Sequence, residues 1–259
     1  MSAAPADFTR AGYRALLQAL LERGYEARRF RDAGPERPHL ILRHDVDLWP
    51  EIVGEMARIE ADLGLTAVYF FLTDSPLYAI DAPETRAVFE ELAALGHEVG
   101  LHFDAAAHPD EAAALDRAAA DACRRLEAAS GQSVETVSFH RPARALLGRA
   151  EPIAGRLHAY QPRFFEDMDY CSDSRGAWRR GHPLARRSVR EGRALQLLTH
   201  PIWWVHDDAG DAEAALARLI AAKGAALKPA VAETVTGYDP ATGRILGRIQ
   251  GPIQGPIQD

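Results

Sequence analysis

Six short apolar runs punctuate the chain: "HLILRH", "TAVYFFL", "HEVGLHF", "ETVSFH", "MDYCSD" and "ALQLLTH". Several are continuously apolar rather than alternating, the pattern of strands covered on both faces in a parallel sheet. Helix-like stretches separate most of them. Phe8 to Leu21 reads as an opening helix, and Glu51 to Asp62 follows the first run with Pro50 suited to a first turn. Thr85 to Leu95 closes at Gly96, Pro109 to Ser130 is rich in alanine, and Asp211 to Ala222 is the last clear helix. Strands alternating with helices predict an α/β fold with a mostly parallel sheet. A closed barrel and an open doubly wound sheet share this pattern, and both place their sites at the carboxyl ends of strands. Gly148 to Arg190 is less regular and reads as long loops around one strand. The tail "GRIQGPIQGPIQD", residues 247–259, is a short Gly-Pro repeat that reads as a mobile end or an edge extension.

Composition narrows this further. With 259 residues, 47% of them hydrophobic, the chain is long enough for one large α/β domain, and a single domain over residues 1–259 is expected. A net charge of −7 argues against nucleic acid or an anionic membrane as partner. The arginines 179, 180, 186 and 187 read as a solvated loop. Cys123 and Cys171 form no CxxC pair and fit reduced thiols of a cytoplasmic protein. The N-terminal residues lack the basic-then-apolar order of a signal peptide. No apolar run approaches the roughly 20 residues that span a bilayer.

Chemistry collects where the strands end. "LRHDVD" leaves an apolar run with Asp45 and Asp47 two apart, so they share a direction if the strand persists. Carboxylates so close repel unless a cation lies beside them. An EF-hand loop is excluded, because Trp49 and Pro50 stand where it needs an acid or amide and a glycine. His102 ends the third run, with Asp104 and His108 beyond it. His140 and Arg141 end the fourth run, Asp173 the fifth and His200 the last. His44 reads as a supporting histidine, His140 as a hydrogen-bonded core group, and His97 as a cap on a helix end.

In these residues the chain resembles the polysaccharide deacetylases, the carbohydrate esterase family 4 or NodB-homology group, from about Leu40 to Trp204. "LRHDVD", "GHEVGLHFDAAAH", "FHRPAR", "YCSDSRGAW" and "LLTHP" are similar, in order, to that family's five motifs. "HDVD" and "LTHPIWW" look most like a WbmS-like subgroup tied to O-antigen and other surface-polysaccharide synthesis. The resemblance implies a distorted (β/α) barrel of about seven parallel strands, and metal-assisted removal of an acetyl group from a sugar. It implies Asp45 as catalytic base, Arg141 as the group orienting it, His200 as general acid and Asp173 as its support. Asp47 and His102 become metal ligands, with zinc the expected ion. Trp178 becomes a wall of the site. Three and four residues after His200, one of Trp203 and Trp204 reads as a platform for a sugar ring and the other as a core residue.

Two departures matter. The third motif, "FHRPAR", is abbreviated and lacks the family's usual glycine. Ala106 stands where the family's second metal histidine is expected. His108 is the expected replacement, preferred over Asp104 because imidazole is the better match to zinc. The partner implied is a carbohydrate, or a nucleotide- or lipid-linked sugar. The rival readings are a metal-dependent amide hydrolase with another substrate, and a carbohydrate-binding protein that has lost turnover.

Overall fold

The computed structural model describes residues 8–146, 148–178, 180–206, 212–236 and 238–245. The chain divides into two compact units, Met1–Ala212 and Glu213–Asp259. The first unit opens with α1 (Arg10–Leu21), then β1 (Glu26–Ala27) and β2 (His39–Val46). Next come α2 (Gly54–Asp62), β3 (Val68–Phe71), α3 (Pro83–Ala94), β4 (Glu98–Phe103), α4 (Ala112–Ser130) and β5 (Thr136–Phe139). It ends with β6 (Leu157–His158), α5 (Pro162–Phe165), β7 (Asp169–Ser172), α6 (Arg187–Arg190) and β8 (Leu195–Thr199).

Seven strands lie side by side in the order β6-β5-β4-β3-β2-β8-β7, all parallel, and the two-residue β1 pairs with the start of β2. The sheet curls into a half-barrel with helices around it, the distorted (β/α) barrel that the resemblance implied and that the strand pattern alone left open. All six expected strands form. The irregular region contributes the short β6, α5 and α6 besides β7. Its arginines are not all solvated: Arg186 is largely buried and pairs with Asp169 at the start of β7.

Helix ends follow local chemistry. Thr9 caps α1 by accepting the Gly12 N–H at 3.0 Å. Tyr13, Leu16, Leu17 and Leu20 form the buried stripe that turns α1 toward the sheet. Gly131 ends α4 at φ +69°, a left-handed conformation a side chain would strain.

Strand alternation sorts the core into two layers. Leu40 and Leu42 of β2 join the outer layer between sheet and helices, with Tyr13, Met56, Tyr69, Phe89 and Leu101. Ile41 joins the inner layer, inside the curl, with Phe30, Val68, Phe70, Phe164 and Met168. Gly100 makes that inner layer possible, because a Cβ there would stand 2.5 Å from the Phe70 ring. Where the edges β6 and β7 leave the barrel open, a chain of rings spans the seam. Phe139 contacts Tyr160 at 5.5 Å, Tyr160 contacts Phe165 at 5.3 Å, and Phe165 contacts Tyr170 at 4.8 Å.

The second unit is built on α7, which starts at Ala212 and runs to Thr234, and on the antiparallel pair β9 (Tyr238–Asp239) and β10 (Arg244–Ile245). The helix extends well past the expected end at Ala222 and passes through Pro229. Its many alanines favour continuation, and proline removes one helical bond without stopping it. Asp211 and the tail 247–259 lie outside the described residues. Among the described residues no helix is long and apolar enough to cross a membrane.

Candidate active site and metal centre

The period of two along β2 sends its polar end in two directions. Arg43 and Asp45 follow Ile41 to the inner face, and His44 follows Leu42 to the outer one. Arg43 is fully buried. Its Nη2 donates to both oxygens of Asp45, at 3.1 and 2.8 Å, and to Ser138 Oγ at 2.5 Å. Its Nη1 donates to Gln196 Oε1 at 3.0 Å. Gln196 is itself fixed by donating to the carbonyls of Ala159 and Phe164. The guanidinium lies over the rings of Phe70 and Tyr160, at 5.4 and 5.2 Å. Burial works to raise the pKa of Asp45, but the charges of Arg43, His102 and His200 outweigh it and hold the carboxyl below its usual range.

The structure corrects the expectation that Arg141 orients Asp45. The Arg141 side chain is 62% exposed and pairs with Asp104. Arg43 does what was assigned to Arg141, from the same strand as its partner. Its position two residues before Asp45 was the available signal.

Beside Asp45 three ligand-type atoms converge. Asp47 Oδ1 lies 3.1 Å from His102 Nε2 and 3.1 Å from His140 Nδ1, and the two nitrogens are 3.2 Å apart. Asp47, His102 and His140 form a group able to hold a metal ion. Asp47 Oδ1 is buried and accepts no hydrogen bond, although two imidazole nitrogens face it. An orphaned carboxylate oxygen turned toward two ring nitrogens fits a divalent cation. One carboxylate and two imidazoles, with a position left open, is also the donor set of catalytic zinc. Burial opposes ionisation of Asp47, but the imidazoles of His102 and His140 set against its carboxylate, with the charge of His200, hold its pKa below the usual value. The contact with Asp47 pushes His140 up.

This placement corrects the third ligand. His108 is exposed and its ring stacks on Phe103, with centroids 5.2 Å apart. Asp104, the other candidate, is taken by Arg141. His140, expected to be a core histidine, stands in their place. Strand pairing explains why: β4 lies beside β5 with His102 opposite Ser138, and His140 is two residues beyond Ser138 on the same face.

His200 and Asp173 come together as expected. The His200 Nδ1 lies 2.6 Å from Asp173 Oδ1, and the His200 backbone N–H donates to the same carboxylate at 3.1 and 3.0 Å. His200 Nε2 is turned to the site, 3.8 Å from Asp47 Oδ2. Burial would lower the His200 pKa, but the charge of Asp173, then of Asp45 and Asp47, pushes it up to about 9.

The tryptophans divide. Trp204 is 2% exposed, packs on Phe8 and Tyr13, and donates its indole N–H to Asp173 Oδ2 at 2.7 Å. It is a core residue holding Asp173, and so is the one of the two adjacent tryptophans that packs in the core rather than offering a face to a sugar. Trp178 packs against Phe8 and Trp204. Trp203 is half-buried against the outer core layer.

No family model matches the chain, and no curated protein matches it. Solved structures do. A CE4 family pseudoenzyme from Bacillus anthracis matches at 18% identity and a TM-score of 0.38, over 64% of this chain and 56% of its own. A family 4 carbohydrate esterase from Bacillus anthracis matches at 17% identity and a TM-score of 0.41, over 80% of this chain and 84% of its own. The Streptococcus pyogenes deacetylase PplD, in complex with acetate, matches at 11% identity and a TM-score of 0.41, over 72% and 79%.

Proposed function

We propose that this chain is a metal-dependent deacetylase that hydrolyses the acetamide of an N-acetylated sugar. One observation carries the reading. Two groups suited to proton transfer approach a three-ligand group at one end of the sheet. Asp45 comes within 3.7 Å of His102 Nε2, and His200 Nε2 lies 3.8 Å from Asp47 Oδ2.

Asp47, His102 and His140 would hold the ion, and zinc suits their donor set with one position open. When bound, such an ion polarises an acyl carbonyl and acidifies a water. The remaining chemistry belongs to the chain. Asp45, kept ionised by Arg43, accepts a proton from the attacking water as its oxygen bonds to the acetyl carbon. Arg43, Ser138 and Gln196 keep that carboxylate in place. His200 delivers a proton from Nε2 to the amine nitrogen as the C–N bond breaks, and acetate and a free amino sugar result. Amide cleavage needs that proton because an amine anion is a very poor leaving group. Asp173 and Trp204 fix the ring through Nδ1 so that Nε2 faces the substrate, the role a carboxylate plays for a catalytic imidazole elsewhere.

The O-antigen assignment rests on the "HDVD" and "LTHPIWW" motifs, and points to a nucleotide- or lipid-linked N-acetyl sugar of surface-polysaccharide synthesis, handled in the cytoplasm. The test combines metal analysis of the purified protein with acetate release from a panel of N-acetylated nucleotide sugars and oligosaccharides. About one ion per chain and acetate release abolished by chelation are expected. Metal binding with sugar affinity but no acetate release would replace the proposal with a binding protein. Release from non-sugar acetamides alone would replace it with another amide hydrolase.

A further inference from the structure

Behind the site, on the outer face of the sheet, lies a second group of titratable side chains. Glu60 of α2 is completely buried. It accepts the hydroxyls of Tyr13, at 2.5 Å, and Tyr69, at 2.8 Å. Two imidazoles stand beside it, His44 with Nε2 2.8 Å from Glu60 Oε1 and His97 with Nδ1 3.7 Å from Glu60 Oε2. The His44 ring stacks on Tyr69 with centroids 4.3 Å apart, and its Nδ1 lies 2.7 Å from Thr199 Oγ1.

Carboxylate, imidazole and hydroxyl in this order resemble an activated nucleophile. That use is excluded here, because Glu60, His44 and Thr199 are all at 0% exposure and no substrate reaches them. Their place in the sheet gives them another use. The pairing of β2 with β8 ends at His44 opposite Thr199. The next residue on each strand turns inward, and these are Asp45 and His200.

We propose that Glu60, His44 and Thr199 form a clasp that positions Asp45 and His200 relative to each other. The His44–Thr199 bond closes the ladder at its last rung. Glu60, itself held by hydroxyls from α1 and β3, locks the His44 ring against the helix layer. Without the clasp the end of β8 frays, as the end of a strand ladder does when its last contacts go, and the spacing of the two inward groups is lost. All three are positioning residues, acting through the pair that follows them. The clasp rests on the reading of Asp45 and His200 as base and acid.

The test is Thr199→Val, with Thr199→Ser as rescue and Thr199→Ala as the alternative should the valine variant not fold. Two readouts are taken on full-length, metal-loaded protein. In steady-state deacetylation, Thr199→Val should lower kcat at least tenfold with KM and metal content unchanged, and Thr199→Ser should return it to within twofold. In proton NMR, the downfield His200 Nδ1–H shared with Asp173, identified by its loss in His200→Ala, should be present in native protein and Thr199→Ser. It should broaden or vanish in Thr199→Val. A variant that loses thermal midpoint while keeping native kcat and the native resonance overturns the clasp. Should the native protein release no acetate, the deacetylase reading fails, and the resonance still decides whether the clasp holds His200.

Discussion

Two clusters of histidine and carboxylate sit back to back across β2, at the same end of the sheet, and they are built differently. On the outer face Glu60 receives two tyrosine hydroxyls, His44 bonds Thr199, and every one of these groups is sealed. On the inner face Asp47 and His140 keep about 30% of their side chains exposed, and the Asp47 Oδ1 has no donor of its own. The outer cluster has tyrosine and threonine hydroxyls interleaved among its carboxylate and imidazoles, though His44 Nε2, 2.8 Å from Glu60 Oε1, makes no hydrogen bond. Around Asp47 the inner one presents only imidazoles, His102 and His140, each 3.1 Å from its Oδ1. A buried polar group without a partner is costly, so the inner arrangement is understandable as one completed by a cation. Residue type alone does not separate structural from functional clusters. Access does.

The largest expected effect falls on the inner face. His200→Ala should slow deacetylation by roughly 100- to 10,000-fold, the range for a positioned acid or base. The deficit should shrink on an activated acetate ester, whose leaving group needs less protonation. Equal losses on amide and ester would remove His200 from the role of acid.

Arg43 tests whether the inner face depends on a buried charge pair. Arg43→Met leaves Asp45 uncompensated and should cost about 3–5 kcal/mol in chemical denaturation. Arg141→Met removes only a surface pair and should leave the denaturation midpoint nearly unchanged. Similar costs for the two would undo the substitution of Arg43 for Arg141.

Metal affinity separates His140 from His108. His140→Ala should weaken zinc binding by more than the roughly 10- to 100-fold that loss of an outer partner costs. Isothermal titration provides the comparison. His108→Ala should leave affinity within about twofold, and the reverse order would restore His108 as the ligand.

On the outer face Glu60→Gln should cost about 1–3 kcal/mol through the disturbed hydroxyl bonds and should alter the acid limb of stability. Burial opposes the charge of Glu60, but His44, with His97 and the Tyr13 hydroxyl, outweighs it and lowers the pKa from its ordinary 4.5. Between the folded value and 4.5 the unfolded chain carries the extra proton, so this contribution is complete above 4.5 and is lost as pH falls through that window. Urea midpoints measured from pH 6 to 3 should fall less steeply in Glu60→Gln than in the native protein. Parallel slopes would show that Glu60 is not held ionised.

Much of this was legible in the sequence because it depends on local periodicity. Apolar runs of strand length, spaced by helical stretches, determined the parallel α/β plan. The period of two placed Asp45 and Asp47 together, and placed His102 and His200 at the ends of their runs. Asp173 beside His200 is also local once β7 and β8 are neighbours. The tertiary structure alone decided which groups meet across strands. His108 is near His102 along the chain, but the turn after β4 carries it onto Phe103. His140, far away in sequence, arrives on the adjacent strand at a sheet spacing of about 4.8 Å. Trp203 and Trp204 are adjacent in sequence, yet only the fold assigns the indole of Trp204 to Asp173. Periodicity along one strand fixes which way a side chain points. Its partner is set by strand order and register, which arise from packing the whole sheet.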